Sequence, residues 1–489
     1  MEKRHFDSIF SRLIPPPHEF SADYGVWKIA DGALVELHSP DPAAEGAVHA
    51  FFAKYAQADV KIVRDDSAVT LPPEGYRLEV TPEKCVITAA NALTAGYALK
   101  SVRQLMESER GVQCSMRKQV PCVRIADAPE LAFRGIHLCW FPETPVWEIE
   151  RQIRLAAYYK FNYAVIESWG VLQFESHPEF CWDEYAVPKD EFRRLIKLGK
   201  SLGIRLVPQL NLFGHASCSR CGTGKHVLLE RHPEYEPLFE PAGWTWCVSN
   251  PATRQYLTDL VEELLDLYDA PPFFHIGCDE AYTPESCSLC MHDYLNKLAG
   301  HITYFHDLIA GHGARAMMWH DMLVCRDDPR WHKLYTACGS LASGHDKLAG
   351  MLPKSMILCD WQYHYPEIDG QPPQWPISKY LRDLGFPVAV CPWDDPRGGL
   401  SLGKMAVKEN LFGFLQTVWH HGKASHLLDN IFTQGAHAAW SPSVPSSAEH
   451  ASREQMNHHI RQLNFEMGLK EYRQLGDIAH QVDPAPFQD

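Results

Sequence analysis

The sequence predicts a (β/α)8 barrel, preceded by a small α/β domain and followed by a helical segment packed on the barrel. Two observations carry this reading. From Ala132 onward, short apolar stretches are each followed by an amphipathic helical pattern, the signature of repeated βα units and a parallel sheet. Eight such stretches occur, the number that closes a barrel. The expected domains are an N-terminal α/β domain over 1–125, the barrel over 126–445 and the helical segment over 446–489.

In the first domain, alternating stretches run from Ala33 to Leu37 and from Tyr76 to Val80, then from Cys85 to Thr88, with turn residues between them. It closes with NALTAGYALKSVRQLM, where Ala98, Val102, Leu105 and Met106 recur at helical spacing. No catalytic cluster occurs in it. Barrel strands are expected at Phe133 to Leu138, Tyr163 to Ile166, Arg205 to Leu210, Phe273 to Gly277, Ala314 to Trp319, Met356 to Cys359, Pro387 to Cys391 and Phe414 to Val418. Helices fit between them at Trp147 to Tyr159, Lys189 to Leu202 and Arg254 to Tyr268, the last beginning after the Asn250-Pro251 turn. The tail from Ser447 to Gln481 is polar and helical in period.

A chain of 489 residues with 45% hydrophobic and 11% aromatic content can bury large cores. Its formal charge of −15 argues against a nucleic-acid backbone or an anionic membrane as partner, because both need a basic footprint. A small neutral or cationic ligand fits better. The N-terminus has no apolar run long enough for a signal peptide and no stretch reaches transmembrane length, so a cytoplasmic protein is expected.

The stretch PPFFHIGCDEAY, from Pro271 to Tyr282, reads as a strand buried on both faces that breaks at Gly277 and delivers Asp279 and Glu280 to its C-terminal end. Two neighbouring carboxylates do not both ionise cheaply, so one proton is retained, which is what a general acid needs. The same pair also suits the first turn of a helix. In a barrel the active site is built from strand C-termini, and here these carry Trp140, Glu167 with Trp169, Asn211 with His215, Asp279 with Glu280, Trp319 with Asp321, Asp360 with Trp361 and Tyr363, Trp393 with Asp394 and Asp395, and Trp419 with His420. Any one Trp is ordinarily core. Recurrence at four consecutive strand ends points instead to a sugar site, because pyranose faces are apolar while their hydroxyls want carboxylate acceptors.

Over about residues 90 to 440 the chain resembles the glycoside hydrolase family 20 β-N-acetylhexosaminidases. HIGCDE resembles the family's His-x-Gly-Gly-Asp-Glu motif, with Cys278 in place of its second glycine. AGYALKSVRQL resembles the segment closing the family's N-terminal domain, and IADAPELAFRGIHL the start of its barrel. The resemblance implies that Arg134 grips sugar hydroxyls, that LVPQLNLFGHA puts His215 in the pocket, and that Trp319, Trp361 and Trp419 box the acetamido group. WHDML and DWQYHY are similar to the streptococcal-type exo-N-acetylglucosaminidase branch, in which a tyrosine such as Tyr363 holds the acetamide carbonyl. Gln209 and Asn211 stand where many members have Glu and Asp, and the second strand ends in ESWG rather than an Asp-Asp pair.

The implied activity is a retaining exo-glycosidase that removes terminal β-linked N-acetylhexosamine from a glycoside or oligosaccharide by substrate assistance, with no catalytic cofactor. Glu280 is then the general acid and Asp279 the partner of the acetamide N–H, while Glu167, Asp321, Trp393 and Asp394 join the expected sugar contacts. Two other classes fit less of the sequence. One is an amino-sugar-binding barrel without turnover, against which the intact Asp-Glu pair speaks. The other is a zinc hydrolase, for which no HExxH spacing occurs among the 26 histidines.

Among fifteen cysteines, Cys218-Ser-Arg-Cys221 and Cys287-Ser-Leu-Cys290 form two C-x-x-C pairs. That spacing lets two thiolates of one tight loop bind a single Zn²⁺. The pairs follow strands three and four of the barrel, so Cys218, Cys221, Cys287 and Cys290 are expected to form a structural zinc site; four reduced loop thiols or two disulfides are the alternatives.

Overall fold

The structure is a computed structural model that describes residues 3–64, 70–106, 118–217, 228–282, 284–419 and 429–445, with Leu463 and Met467. Most of the expected C-terminal helical segment, 446–489, therefore lies outside the described residues, as do Cys218, Cys221 and His420. The chain divides into two compact units, one of residues 1–130, 158–160 and 440–489, the other of residues 131–157 and 161–439.

The first unit is a six-stranded mixed sheet of β1 (Glu19–Lys28), β2 (Leu34–His38), β3 (Asp59–Val63), β4 (Tyr76–Val80), β5 (Lys84–Ala89) and β6 (Gln119–Asp127), in the order β1-β6-β4-β5-β2-β3. Only β2 pairs in parallel, with β3 and with β5. Tyr76, Leu78 and Val80 alternate with exposed residues, so β4 buries one face. That core is completed by helices Pro42–Phe52 and Ala92–Leu105. Asn91 starts the second helix through a capping box with Thr94.

The second unit is a closed parallel barrel of β7 (Phe133–Trp140), β8 (Tyr163–Ser168), β9 (Arg205–Gln209), β10 (Phe273–His275), β11 (Arg315–Trp319), β12 (Ile357–Trp361), β13 (Val388–Cys391) and β14 (Gly413–Thr417). All eight expected strands are present. Helices Val146–Tyr158, Lys189–Ser201 and Pro251–Leu267 stand where helical spacing put them. Strands β7, β10, β13 and β14 are buried at every residue, which is why their sequences show no alternation. Phe133, Val165, Val207, Phe273, Met317, Trp319, Ile357, Cys359, Ala389, Cys391 and Leu415 fill the interior.

β10 is shorter than its apolar run suggested. It ends at His275, whose Nδ1 accepts the Gly277 N–H at 3.0 Å. Gly277, Cys278 and Glu280 then take φ values of +65°, +70° and +48°. Strand geometry is abandoned two residues early because this left-handed run, not the strand, aims the carboxylates.

Candidate active site

Asp279 and Glu280 leave β10 on the left-handed turn, so the two neighbours do not point to opposite faces as they would on a strand. Both line one cavity of about 210 Å³, together with Phe141, Trp169, His215, Trp361, Tyr363, Trp393 and Trp419. His215, itself at φ +56°, sets its Nε2 3.0 Å from Glu280 Oε2 and 3.3 Å from Asp279 Oδ2. The Asp279 carboxylate accepts from Asn211 Nδ2 at 3.1 Å and is almost fully buried, while Glu280 is half-buried.

Backbone geometry around this turn is held by close approach. A Cβ on Gly214 would sit 1.8 Å from the Asp279 carbonyl oxygen, and one on Gly277 2.4 Å from Asn211 Oδ1. The Glu280 N–H donates to Asp321 Oδ2 at 2.9 Å, and its carbonyl accepts from Trp244 Nε1 at 2.7 Å. Left-handed non-glycine residues are costly and persist only where surrounding bonds over-determine them. Those contacts supply that determination.

The aromatic wall is a continuous set. Tyr363 lies 4.9 Å from Trp361, 5.3 Å from Trp393 and 6.5 Å from Trp419 between ring centroids. Trp419 Nε1 donates to the Tyr363 hydroxyl at 2.6 Å, and Trp393 Nε1 to the Val418 carbonyl at 3.2 Å. Burial raises the Tyr363 hydroxyl well above its ordinary pKa, so it stays protonated as a donor.

Several expected sugar contacts stand elsewhere. Arg134 is fully buried, and its Nη1 donates to the carbonyls of Leu131 at 2.8 Å and Ala132 at 3.2 Å, at the N-terminal end of β7. Its neighbour Phe133 fills the barrel interior, and strand alternation turns Arg134 to the other face. Trp319 is also fully buried, one layer below the cavity, with its ring 4.4 Å from His275 and 5.7 Å from Trp419. Asp321 is a brace rather than a wall residue: besides the Glu280 N–H it accepts from Trp361 Nε1 at 3.1 Å. Burial, then the charge of Asp279, pushes its pKa up to about 6. Asp394 is exposed and does not line the cavity. Its neighbour Asp395 caps the helix Pro396–Lys408.

Glu167 is buried beneath the pocket and accepts from Gln209 Nε2 at 2.8 Å. Gln209 also donates to Asn211 Oδ1 at 3.2 Å, completing a chain from Glu167 to Asp279. The two amides explain the departure from Glu and Asp at these positions. Carboxylates at 209 and 211 would place four buried acids in a row, whereas the amides donate to the acids at either end.

Trp244 and Phe141 were missed by the sequence reading, although the aromatic runs GWTW and CWF mark both places. Among the described residues, three groups of side chains converge closely enough to hold a metal ion: His215 with Asp279 and Glu280; His137 with Cys139 and Glu167; and Glu240 with Cys247, Cys287 and Cys290. The last takes in the second C-x-x-C pair and adds two ligands that motif spacing did not reveal.

The family model described as glycosyl hydrolase family 20, domain 2, matches residues 11–128, and that described as glycosyl hydrolase family 20, catalytic domain, matches residues 178–365. A β-hexosaminidase of Akkermansia muciniphila is 23% identical over 460 residues, 83% of this chain and 88% of that protein. Other curated relatives are matched over half of their own length or less, such as a β-hexosaminidase of Porphyromonas gingivalis at 37%. Among solved structures, the fold is shared with an exo-β-N-acetylglucosaminidase of Vibrio harveyi in complex with N-acetylglucosamine (TM-score 0.69, 15% identity, 93% of this chain and 77% of that one). It is shared also with the N-acetyl-β-hexosaminidase of Streptomyces plicatus (TM-score 0.65, 17% identity, 92% of this chain and 94% of that one).

Proposed function

Because the chain belongs to glycosyl hydrolase family 20 and is a β-hexosaminidase of that family, we propose that it removes a terminal β-linked N-acetylhexosamine, GlcNAc or GalNAc, with retention and with the substrate's own acetamide as nucleophile. One observation carries the reading: Asp279 and Glu280 leave a single left-handed turn into one aromatic-walled cavity. At about 210 Å³ this cavity is smaller than the roughly 300–1,000 Å³ of pockets for drug-sized ligands. That size supports one sugar residue and therefore exo action. The Vibrio harveyi protein of similar fold holds N-acetylglucosamine, which supports the same ligand class.

In this reaction Glu280 gives its proton to the glycosidic oxygen as the C1–O bond breaks, while the acetamido oxygen bonds to C1. Asp279 accepts the acetamide N–H and offsets the positive charge that develops on the oxazolinium ring. Tyr363 accepts from Trp419 and so has its own proton free for the acetamido oxygen. Glu280, now a carboxylate, takes a proton from water as that water attacks C1, which reopens the ring with net retention. No step needs a cofactor.

A thiazoline analogue of GlcNAc, which resembles the cyclised intermediate, should inhibit far more tightly than GlcNAc itself. Aryl N-acetylglucosaminides should be turned over and aryl glucosides should not. Equal turnover of both sugars would remove the acetamide from the mechanism, and binding without any turnover would return the protein to a sugar-binding role.

A further inference from the structure

Beside the cavity, the segments after β9 and β10 meet in a second cluster. Residues 238–247 form a hairpin through the Phe239–Trp246 bridge, with the Glu240 N–H bonded to the Thr245 carbonyl at 2.8 Å and the Cys247 N–H to the Leu238 carbonyl at 2.9 Å. It presents Glu240 and Cys247 to the C-x-x-C loop that follows Glu280. The Cys247 Sγ lies 3.6 Å from both Cys287 Sγ and Cys290 Sγ, and Cys287 Sγ lies 3.6 Å from Glu240 Oε1. All four ligand atoms fall within 4.8 Å of one another.

These spacings match a tetrahedron: Zn–S bonds of about 2.3 Å give S···S edges of about 3.8 Å, and a Zn–O bond of about 2.0–2.2 Å shortens the edge to oxygen slightly. A disulfide would use two of the three thiols and leave the third with the carboxylate. Every other feature also suits a cation. Glu240 is 2% exposed, and among the described residues its carboxylate is met by the Ser286 and Cys287 N–H groups, the Ser286 hydroxyl and the Cys287 thiol rather than by a cationic side chain. Its Oε2 accepts the N–H groups of Ser286 (3.0 Å) and Cys287 (2.7 Å), which leaves Oε1 directed at the sulfurs. The Cys290 N–H donates to Cys287 Sγ at 3.3 Å, and Ser249 Oγ lies 3.1 Å from Cys290 Sγ, partners that orient ligands from outside the coordination sphere.

We propose that Cys247, Cys287, Cys290 and Glu240 bind one structural Zn²⁺. The ligand set differs from the two C-x-x-C pairs that spacing suggested: Cys247 and Glu240 supply what Cys218 and Cys221 were expected to supply. With four protein donors no position remains for water, so the ion does no chemistry. It ties the hairpin whose Trp244 holds the Glu280 carbonyl to the loop that leaves Glu280, and so fixes the wall carrying the acid.

Elemental analysis of the full chain, purified without chelator, should find about one zinc per molecule, whatever the enzyme hydrolyses. Cys247→Ser should lose it and the Cys218→Ser/Cys221→Ser double variant should keep it. Wild-type protein reloaded with Co²⁺ should show thiolate-to-cobalt charge transfer of three-thiolate intensity, a readout independent of how well any variant folds. Chelator-stripped protein should melt at a lower temperature and regain its original transition on adding zinc. Zinc-free protein from zinc-supplemented cells would overturn the site. A four-thiolate cobalt spectrum, or loss of zinc from the double variant with retention in Cys247→Ser, would overturn this ligand assignment.

Discussion

At the scale of single residues, the acid is set by where Glu280 sits rather than by its neighbour alone. Its backbone is pinned at both ends, by Asp321 at the N–H and Trp244 at the carbonyl, while its carboxylate meets His215. Glu280→Gln keeps the shape and removes the proton. Its kcat/KM should fall by about 10²–10⁴-fold for substrates with poor leaving groups and much less for activated aryl glycosides, since only the former need protonation. A steady-state comparison of the two substrate types checks this; equal losses would take Glu280 out of the role.

At the scale of elements, the site depends on how closely two loops approach. The segment after β9 comes so near the β10 turn that Gly214 has no room for a methyl group against the Asp279 carbonyl. Gly214→Ala should therefore push the turn outward without touching any reacting group. Displacement of about 1 Å is enough to cost on the order of 10²-fold in rate, so kcat/KM should drop at least that far while the circular dichroism spectrum remains that of a folded barrel. Near-normal activity in Gly214→Ala would show that the turn tolerates movement.

At the scale of the whole molecule, the first unit is assembled from segments far apart in sequence. Lys160 is almost fully buried, with its Nζ 3.2 Å from Asp127 Oδ2 and 2.9 Å from the Tyr76 hydroxyl, and it lies over the Tyr76 and Trp440 rings. Trp440 Nε1 and His18 Nδ1 also meet the Asp127 carboxylate. Burial alone would raise the Asp127 pKa, but Lys160, His18 and Trp440 together hold it below the ordinary carboxylate value. Lys160→Met leaves that carboxylate buried without its main cation and should destabilise the protein by roughly 3–5 kcal/mol. Urea denaturation monitored at the tryptophans checks this; a loss below about 1 kcal/mol would mean the pair is not needed to hold these segments together.

The sequence by itself determined the barrel and the position of its acid pair. Strand and helix periods, and the turn residues that punctuate them, are written within each segment, so eight βα units and the carboxylates after PPFFHIG were legible without any neighbour. Only the tertiary structure decided which strand-end side chains reach the cavity. A shift of one residue reverses the face a strand residue occupies, which turns Arg134 away, and the layer at which a side chain enters the barrel leaves Trp319 beneath the pocket. Asp321 could equally have met sugar or backbone, and its partners were fixed by the turn of β10, some 40 residues away in the chain. The thiol cluster shows the same division. C-x-x-C spacing exposed Cys287 and Cys290, but Cys247 and Glu240 join them through a hairpin that carries no motif, because a ligand set closed by chain folding leaves no periodic trace in any one segment.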